Sequence, residues 1–256
     1  MKILVTANQK GGVGKTAVIV HLAFDFMERG LKVAVVDLDA QANTSYTLDA
    51  FSDERTASEM FFVETLLVAE PPPSGLALFK SNSDLIRLEK LPLDVANSRF
   101  QSSMRKLAGQ QFDVCLIDTA PSLGVGMMTA LYAADYVMSP IQLEAYSIRG
   151  IKMLLTTISH VRKPVPGLVA NPGLKFLGML PSMVDSRKPR QVRNLNELQA
   201  AYSGLLIPHT IGFRDGIADA LASGVPVWQI KTTAARKATL EVRAVAQYIF
   251  DKMELS

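Results

Sequence analysis

Near the start of the chain the run K-G-G-V-G-K-T, Lys10 to Thr16, follows the apolar stretch Ile3 to Ala7 and precedes a helical pattern that opens near Thr16. A strand, a glycine-rich turn and a helix in that order form the setting of a phosphate loop. Its glycines let successive backbone N–H groups curl around phosphate oxygens, its last lysine reaches the outer phosphates, and the following hydroxyl holds Mg2+. The common form of the motif places a glycine five positions before Gly14, where this chain has Gln9, and beside it stands an additional cation, Lys10. Gly11, Gly12, Val13, Gly14, Lys15, Thr16 and Ala17 are the expected phosphate-binding residues. Lys10 is expected to serve a triphosphate too, from across a dimer interface, because its backbone leaves the loop on the side away from Lys15.

Around the loop the pattern is that of a parallel sheet covered by helices. Ala17 to Glu28 reads as an amphipathic helix ending at Arg29-Gly30, and Lys32 to Val36 as a strand ending at Asp37. Further strands are expected at Val114 to Ile117, Tyr136 to Ser139, Phe176 to Leu180 and Leu205 to Ile207. Helices are expected at Asn97 to Gly109, after Ser147, at Arg193 to Ala201 and at Thr232 to Met253. Residues 50 to 95 are less regular, and Pro71 to Gly75 is a stiff turn rather than a boundary, since apolar pattern resumes at Leu76. With 256 residues and 48% hydrophobic content the chain can bury one sizeable core, so the expectation is a single three-layer α/β domain over residues 1–256 with a mostly parallel central sheet.

Acidic residues end two of these strands. Asp37 and Asp39 stand two apart, so both carboxylates face one side if strand geometry persists that far. Asp118 closes the run V-C-L-I-D. The carboxyl ends of parallel strands are where such sheets bind ligands. The division of labour expected is Thr16 as Mg2+ ligand, Asp118 as its outer-shell partner, and Asp39 as the group that positions the attacking water. For Asp37 a helix cap or a side-chain turn is the competing expectation.

Charge is distributed unevenly: residues 1–150 carry 13 basic and 17 acidic side chains, residues 151–256 carry 14 and 7, giving −4 and +7. That asymmetry calls for an anionic partner of the C-terminal half. Arg187, Lys188, Arg190 and Arg193 form a basic run without an intervening acid, and Arg214, Lys231, Arg236, Lys237 and Arg243 are further candidates. Basic residues without interleaved aromatics suit duplex phosphates better than stacked single strands. The one cysteine, Cys115, rules out an internal disulfide and any cluster built from several thiolates of one chain, and lies in an apolar strand. His21, His160 and His209 are too scattered to make a metal motif, and Trp228 reads as a core or interface residue. No uncharged run reaches membrane-spanning length, and the expected location is the cytoplasm.

The sequence resembles the ParA/Soj/MinD family of P-loop ATPases with a deviant Walker A motif, and among them the small plasmid-partition ParA proteins. The resemblance rests on N-Q-K-G-G-V-G-K-T at 8–16, D-L-D-A-Q-A-N at 37–43, F-D-V-C-L-I-D-T-A-P-S at 112–122, A-D-Y-V-M-S-P-I-Q-L-E-A-Y-S at 134–147, the stretch 171–187, I-P-H at 207–209 and S-G-V-P-V at 223–227. It implies a P-loop NTPase fold, ATP/ADP and Mg2+ as cofactors, and an ATP-bound homodimer that binds non-specific double-stranded DNA on the nucleoid. A ParB-type centromere-binding protein would stimulate hydrolysis. By the same resemblance Lys10 is the signature lysine that reaches the partner's nucleotide, Lys15 the ordinary phosphate lysine, Asp39 the residue on which hydrolysis depends, and Asp118 the Walker B acid. Ser182, Asp185 and Pro208 fall in segments that line the base in relatives. Ala40 and Ala120 replace the usual prolines, and His209 stands where many chromosomal relatives have arginine. The first strand is read from Ile3, so the N-terminal helix-turn-helix domain of larger relatives is not expected. The alternative, a MinD-type membrane-positioning ATPase, would need a terminal basic amphipathic helix, whereas this chain closes with Y-I-F-D-K-M-E-L-S. No membrane partner is expected.

Overall fold

The computed structural model describes residues 1–63, 70–144 and 147–255. Its centre is a seven-stranded sheet: β1 (Lys2–Thr6), β2 (Val33–Leu38), β3 (Ser52–Thr56), β4 (Leu76–Lys80), β5 (Val114–Thr119), β6 (Tyr136–Ile141) and β7 (Lys175–Pro181). The spatial order is β3-β4-β2-β5-β1-β6-β7, and every pairing is parallel. Parallel strands covered on both faces lack the polar alternation of a half-solvated sheet. β2, β5 and β6 are accordingly buried at each position, and Cys115 is an inert part of that core.

Successive side chains of each strand feed opposite cores. Leu4, Val33, Val35, Leu116 and Met138 pack beneath α1 (Lys15–Glu28), α8 (Asp215–Ser223) and α9 (Thr233–Lys252). Val5, Ala34, Val36, Ile117 and Val137 pack beneath α3 (Glu59–Phe62), α4 (Leu93–Ala108), α5 (Val125–Ala133) and α6 (Ser147–Val161). The short α2 (Asn43–Thr47) follows β2, while α7 (Pro189–Tyr202) is anchored by Leu198 in a smaller cluster with Ile141, Leu143, Ile151 and Met179. The three-layer α/β arrangement read from the sequence is thus present.

Helix α1 carries the chemistry at one end and a firm stop at the other. Gly14 occupies its N-cap in the left-handed region (φ 92°), with no side chain capping the first turn. At its far end the N–H groups of Gly30 and Leu31 donate to the carbonyls of Met27 and Phe26, a paired arrangement that requires the positive φ of Gly30. Two expectations need correction. Residues 203–205 form a single 3₁₀ turn, and Leu206 makes only an isolated bridge to Met179, so no strand covers Leu205 to Ile207. The irregular region 50–95 contains β3, α3, β4 and a 3₁₀ helix at Ser83–Lys90 among the described residues, with the turn at Pro72 to Gly75 closed by the Gly75 N–H.

Candidate active site

The carboxyl ends of β1, β2, β5, β6 and β7 bring the loop, both acidic turns and Ser182 to one edge of the sheet. There a cavity of about 340 Å3 is floored by Gly11 to Ala17 and walled by Asp39, Asn43, Tyr46, Pro121, Met183 and Leu221. The first N–H groups of α1 have no carbonyl one turn back to receive them, and no side chain takes that role. They are left as a ready anion cradle at the positive end of the helix. Gly14 cannot be replaced cheaply, since its φ is positive and a Cβ there would sit 2.7 Å from Ser182 Oγ.

Lys15 is buried beside this cradle, its Nζ donating to the carbonyls of Asn8 (3.3 Å) and Lys10 (3.4 Å). Burial pulls its pKa below the ordinary lysine value, against the opposing pull of Asp118 and Asp39. An ammonium short of charged partners is matched by an anionic ligand. Asp118 is fully buried at the end of β5, and burial pushes its pKa up. One of its oxygens accepts from both Thr16 Oγ1 and Thr44 Oγ1 at 2.7 Å, the other from Thr6 Oγ1 at 3.4 Å. A carboxylate gathering hydroxyls at a phosphate cradle is a hard oxygen set that suits Mg2+. The residues present therefore fit both groups: Thr16 could hold the ion, with Asp118 accepting from its hydroxyl.

The two acids at the end of β2 do not share a direction. The strand ends at Leu38, and beyond it the chain turns. Asp37 stays wholly buried: Oδ2 accepts from the Ser45 N–H (2.8 Å) and hydroxyl (2.6 Å), and Oδ1 from the Asp39 N–H (3.1 Å). It is a brace for the turn and for α2, with its pKa pushed up to about 7 by burial and by the neighbouring Asp118. Asp39 is half-buried on the cavity wall, accepting from the Gln41 N–H at 3.0 Å.

Lys10 leaves this cavity. Its Nζ donates to Gln142 Oε1 at 2.8 Å and pairs with the Glu144 carboxylate, lining a separate cavity of about 310 Å3 with Asn8, Gln9 and Gly150. Ser182 borders a smaller apolar recess of about 130 Å3, formed with Met183, Ile211, Phe213 and Leu221, which meets the main cavity at Gly14 and Ala17. Asp185 and Pro208 line neither space. Asp185 is instead engaged by Arg187, whose hydrogen bonds pull its carboxyl down to about 2, and Pro208 is exposed. Tyr46 and Leu221 have no signal in the sequence, whereas Met183 lies inside the segment Ser182 to Asp185 expected to line the base. Asn43, at the end of the D-L-D-A-Q-A-N stretch, was the one signal pointing to α2.

Among the basic residues, Arg187, Lys188, Arg190 and Arg193 are exposed at the start of α7, and Lys231, Arg236 and Lys237 at the start of α9. Arg214 and Arg243 turn inward. Arg214 is held by Glu241 at 2.7 Å. Arg243 pairs with the buried Asp25 and with Glu28 while lying 3.6 Å over the Trp228 ring, whose Nε1 donates to Glu28 at 2.7 Å. Both guanidinium groups are thus engaged by carboxylates of the fold, unlike the exposed cations of α7 and of the start of α9. His21 is buried against Trp228, between the Ala17 carbonyl and the Val227 N–H.

Comparison with known proteins accounts for this assembly. The AAA domain family model matches residues 1–174. Protein IncC of Escherichia coli is 58% identical over 264 residues, covering 100% of this chain and 71% of that protein. The chain belongs to the ParA/Soj family of partition ATPases. The chromosome-partitioning ATPase Soj of Thermus thermophilus is 36% identical across 71% of this chain and 69% of its own length. Among solved structures, cobyrinic acid a,c-diamide synthase of Mycobacterium smegmatis with bound ATP analog and magnesium aligns with a TM-score of 0.74 at 28% identity, over 96% of this chain and 93% of that one. Among the described residues no helix is long and apolar enough to cross a membrane.

Proposed function

We propose that the chain is a Mg2+-dependent ATPase that dimerises with ATP, binds duplex DNA without sequence preference, and drives plasmid or chromosome partition on the nucleoid with a ParB-type partner. The observation that carries this reading is the division between its two loop lysines. Lys15 fills the ordinary phosphate position, whereas Lys10 is directed away from its own cavity toward Gln142 and Glu144. A cation on the outer side of a phosphate loop is of most use to a nucleotide held by a second copy. Within each site Lys15 and the α1 cradle bind and orient ATP, Thr16 holds Mg2+ with Asp118 behind it, and Asp39 positions water. Bound Mg2+ neutralises phosphate charge. A lysine arriving from the partner adds positive charge where it is needed to offset the negative charge of the transition state, the role arginine fingers play elsewhere.

Mixing Lys10→Ala chains with Asp39→Ala chains tests this arrangement. Each variant alone is expected to be inactive. Hybrid dimers are expected to recover ATPase activity in the site that keeps Asp39 and receives Lys10 from its neighbour, and the absence of recovery would place Lys10 in its own subunit's site.

A further inference from the structure

Lys10 is anchored at one end to the last residues of β6 and at the other to the segment that follows it. Its backbone N–H donates to Asn8 Oδ1 (2.9 Å), and Asn8 Nδ2 donates in turn to the Pro140 carbonyl (2.7 Å). Its ammonium meets Gln142 Oε1 and the Glu144 carboxylate. The receiving segment is itself fixed. Leu143 is buried with Ile141, Ile151 and Leu198, and its carbonyl accepts from Asn194 Nδ2 of α7 at 2.9 Å. Gln142 has a second commitment, its Nε2 donating to the Gly12 carbonyl at 2.8 Å and lying 3.2 Å from Met183 Sδ, so one side chain spans Lys10, the loop and the cavity wall.

We propose that Glu144 and Gln142 are positioning residues that berth Lys10 in the monomer and set the threshold at which ATP drives dimerisation. The inference rests on the reading of Lys10 as the lysine that serves the partner's nucleotide. A polyphosphate brought onto the ammonium would set its negative charge against the Glu144 carboxylate, so each dimer contact made by Lys10 works against the berth. Both members of the ion pair keep nearly half their side-chain surface in water (44% and 45%), which makes the pair weak enough to be exchanged for a ligand of several negative charges. The departure of Lys10 also takes a donor from the amide oxygen of Gln142 while its nitrogen remains on Gly12. The loop is thereby linked to whether the lysine is berthed.

The test is the dimer dissociation constant, measured by sedimentation of the full chain with a non-hydrolysable ATP analogue and Mg2+. The variants are Glu144→Gln, Lys10→Ala and the double variant, each also assayed for binding of a fluorescent ATP analogue to verify an intact loop. Glu144→Gln is expected to tighten the dimer by roughly two- to thirtyfold, since each dimer breaks two berths and each is the size of an exposed ion pair. It is expected to do nothing when combined with Lys10→Ala, and raising salt should shrink the gap between Glu144→Gln and wild type. An unchanged or weaker dimer in Glu144→Gln, or an equal effect with and without the Lys10 side chain, overturns the berth. A Lys10→Ala chain that dimerises like wild type is a different failure, one that removes the trans role on which the berth depends.

Discussion

A single carboxyl group, Asp37, shows how one residue type serves opposite ends in this site. Asp39, two positions on, is wetted by the cavity, whereas Asp37 is wholly buried and braces a turn. Its folded pKa of about 7 lies above that of an unfolded aspartate near 4. Between those values the folded state holds a proton that the unfolded chain has lost, so stability falls as pH rises through the window and levels off above it. The full change is at most about 4 kcal/mol. Melting curves without nucleotide or Mg2+ from pH 4 to pH 8 should show this decline in wild type and a flatter profile in Asp37→Asn, which keeps one acceptor oxygen and cannot ionise. An equal slope in both would assign the pH dependence to other groups. The sequence alone placed Lys15, Thr16, Asp39 and Asp118 at one sheet edge, because strand ends and glycine spacing are local signals. The separation of Asp37 from Asp39 was not legible, since it depends on β2 ending at Leu38 and on Ser45 approaching from α2. The positions of Asp185 and Pro208 outside both cavities are of the same kind, as the path of the chain beyond β7 has no short-range signature.

Among the elements, long amphipathic helices and buried strands were readable, while α5 and α8 were not. α5 is apolar on nearly all sides, packed between α4 and α6, and so lacks the polar face that marks a helical period. α8 approaches α9 through Gly216, where a Cβ would lie 2.8 Å from the Ala235 Cα, a contact that only tertiary structure reveals. The pairing of α1 with α9 was likewise hidden in charges that read as surface residues. Asp25 is fully buried yet accepts from Arg29 at 2.6 Å and from Arg243. Removing Arg243 leaves Asp25 one partner short and uncovers Trp228. Arg243→Ala should therefore cost about 2 kcal/mol in denaturant unfolding, with ATP binding retained at temperatures where the protein is folded. Lys237→Ala, on an exposed position of the same helix, should leave stability within about 0.5 kcal/mol of wild type. Equal stability of the two variants would mean that the Arg243 network carries no net energy.

At the scale of the whole molecule the exposed positive charge gathers at the starts of α7 and α9, and the excess in residues 151–256 survives the inward commitment of Arg214 and Arg243. On the proposed function, two copies presenting these groups together neutralise phosphates of one duplex. Replacing Arg187, Lys188, Arg190 and Arg193 with alanine should weaken binding to unrelated duplexes alike. It should also flatten the dependence of log affinity on log salt by about 0.9 for each phosphate that is no longer neutralised, with ATP binding unchanged. A salt series on two duplexes, run with ATP, ADP and no nucleotide, measures all of this, and binding that ignores the nucleotide would remove the switch. The sheet order has a consequence of another kind, in time rather than space. β1, made first, lies between β5 and β6, and β2 also waits for β5. At about 5–20 residues per second on the ribosome, the loop is synthesised several seconds or more before the strands that flank it exist. Through that interval the chain owns its most recognisable motif without the walls that make it a site, and β1 is without both of its neighbours in the sheet.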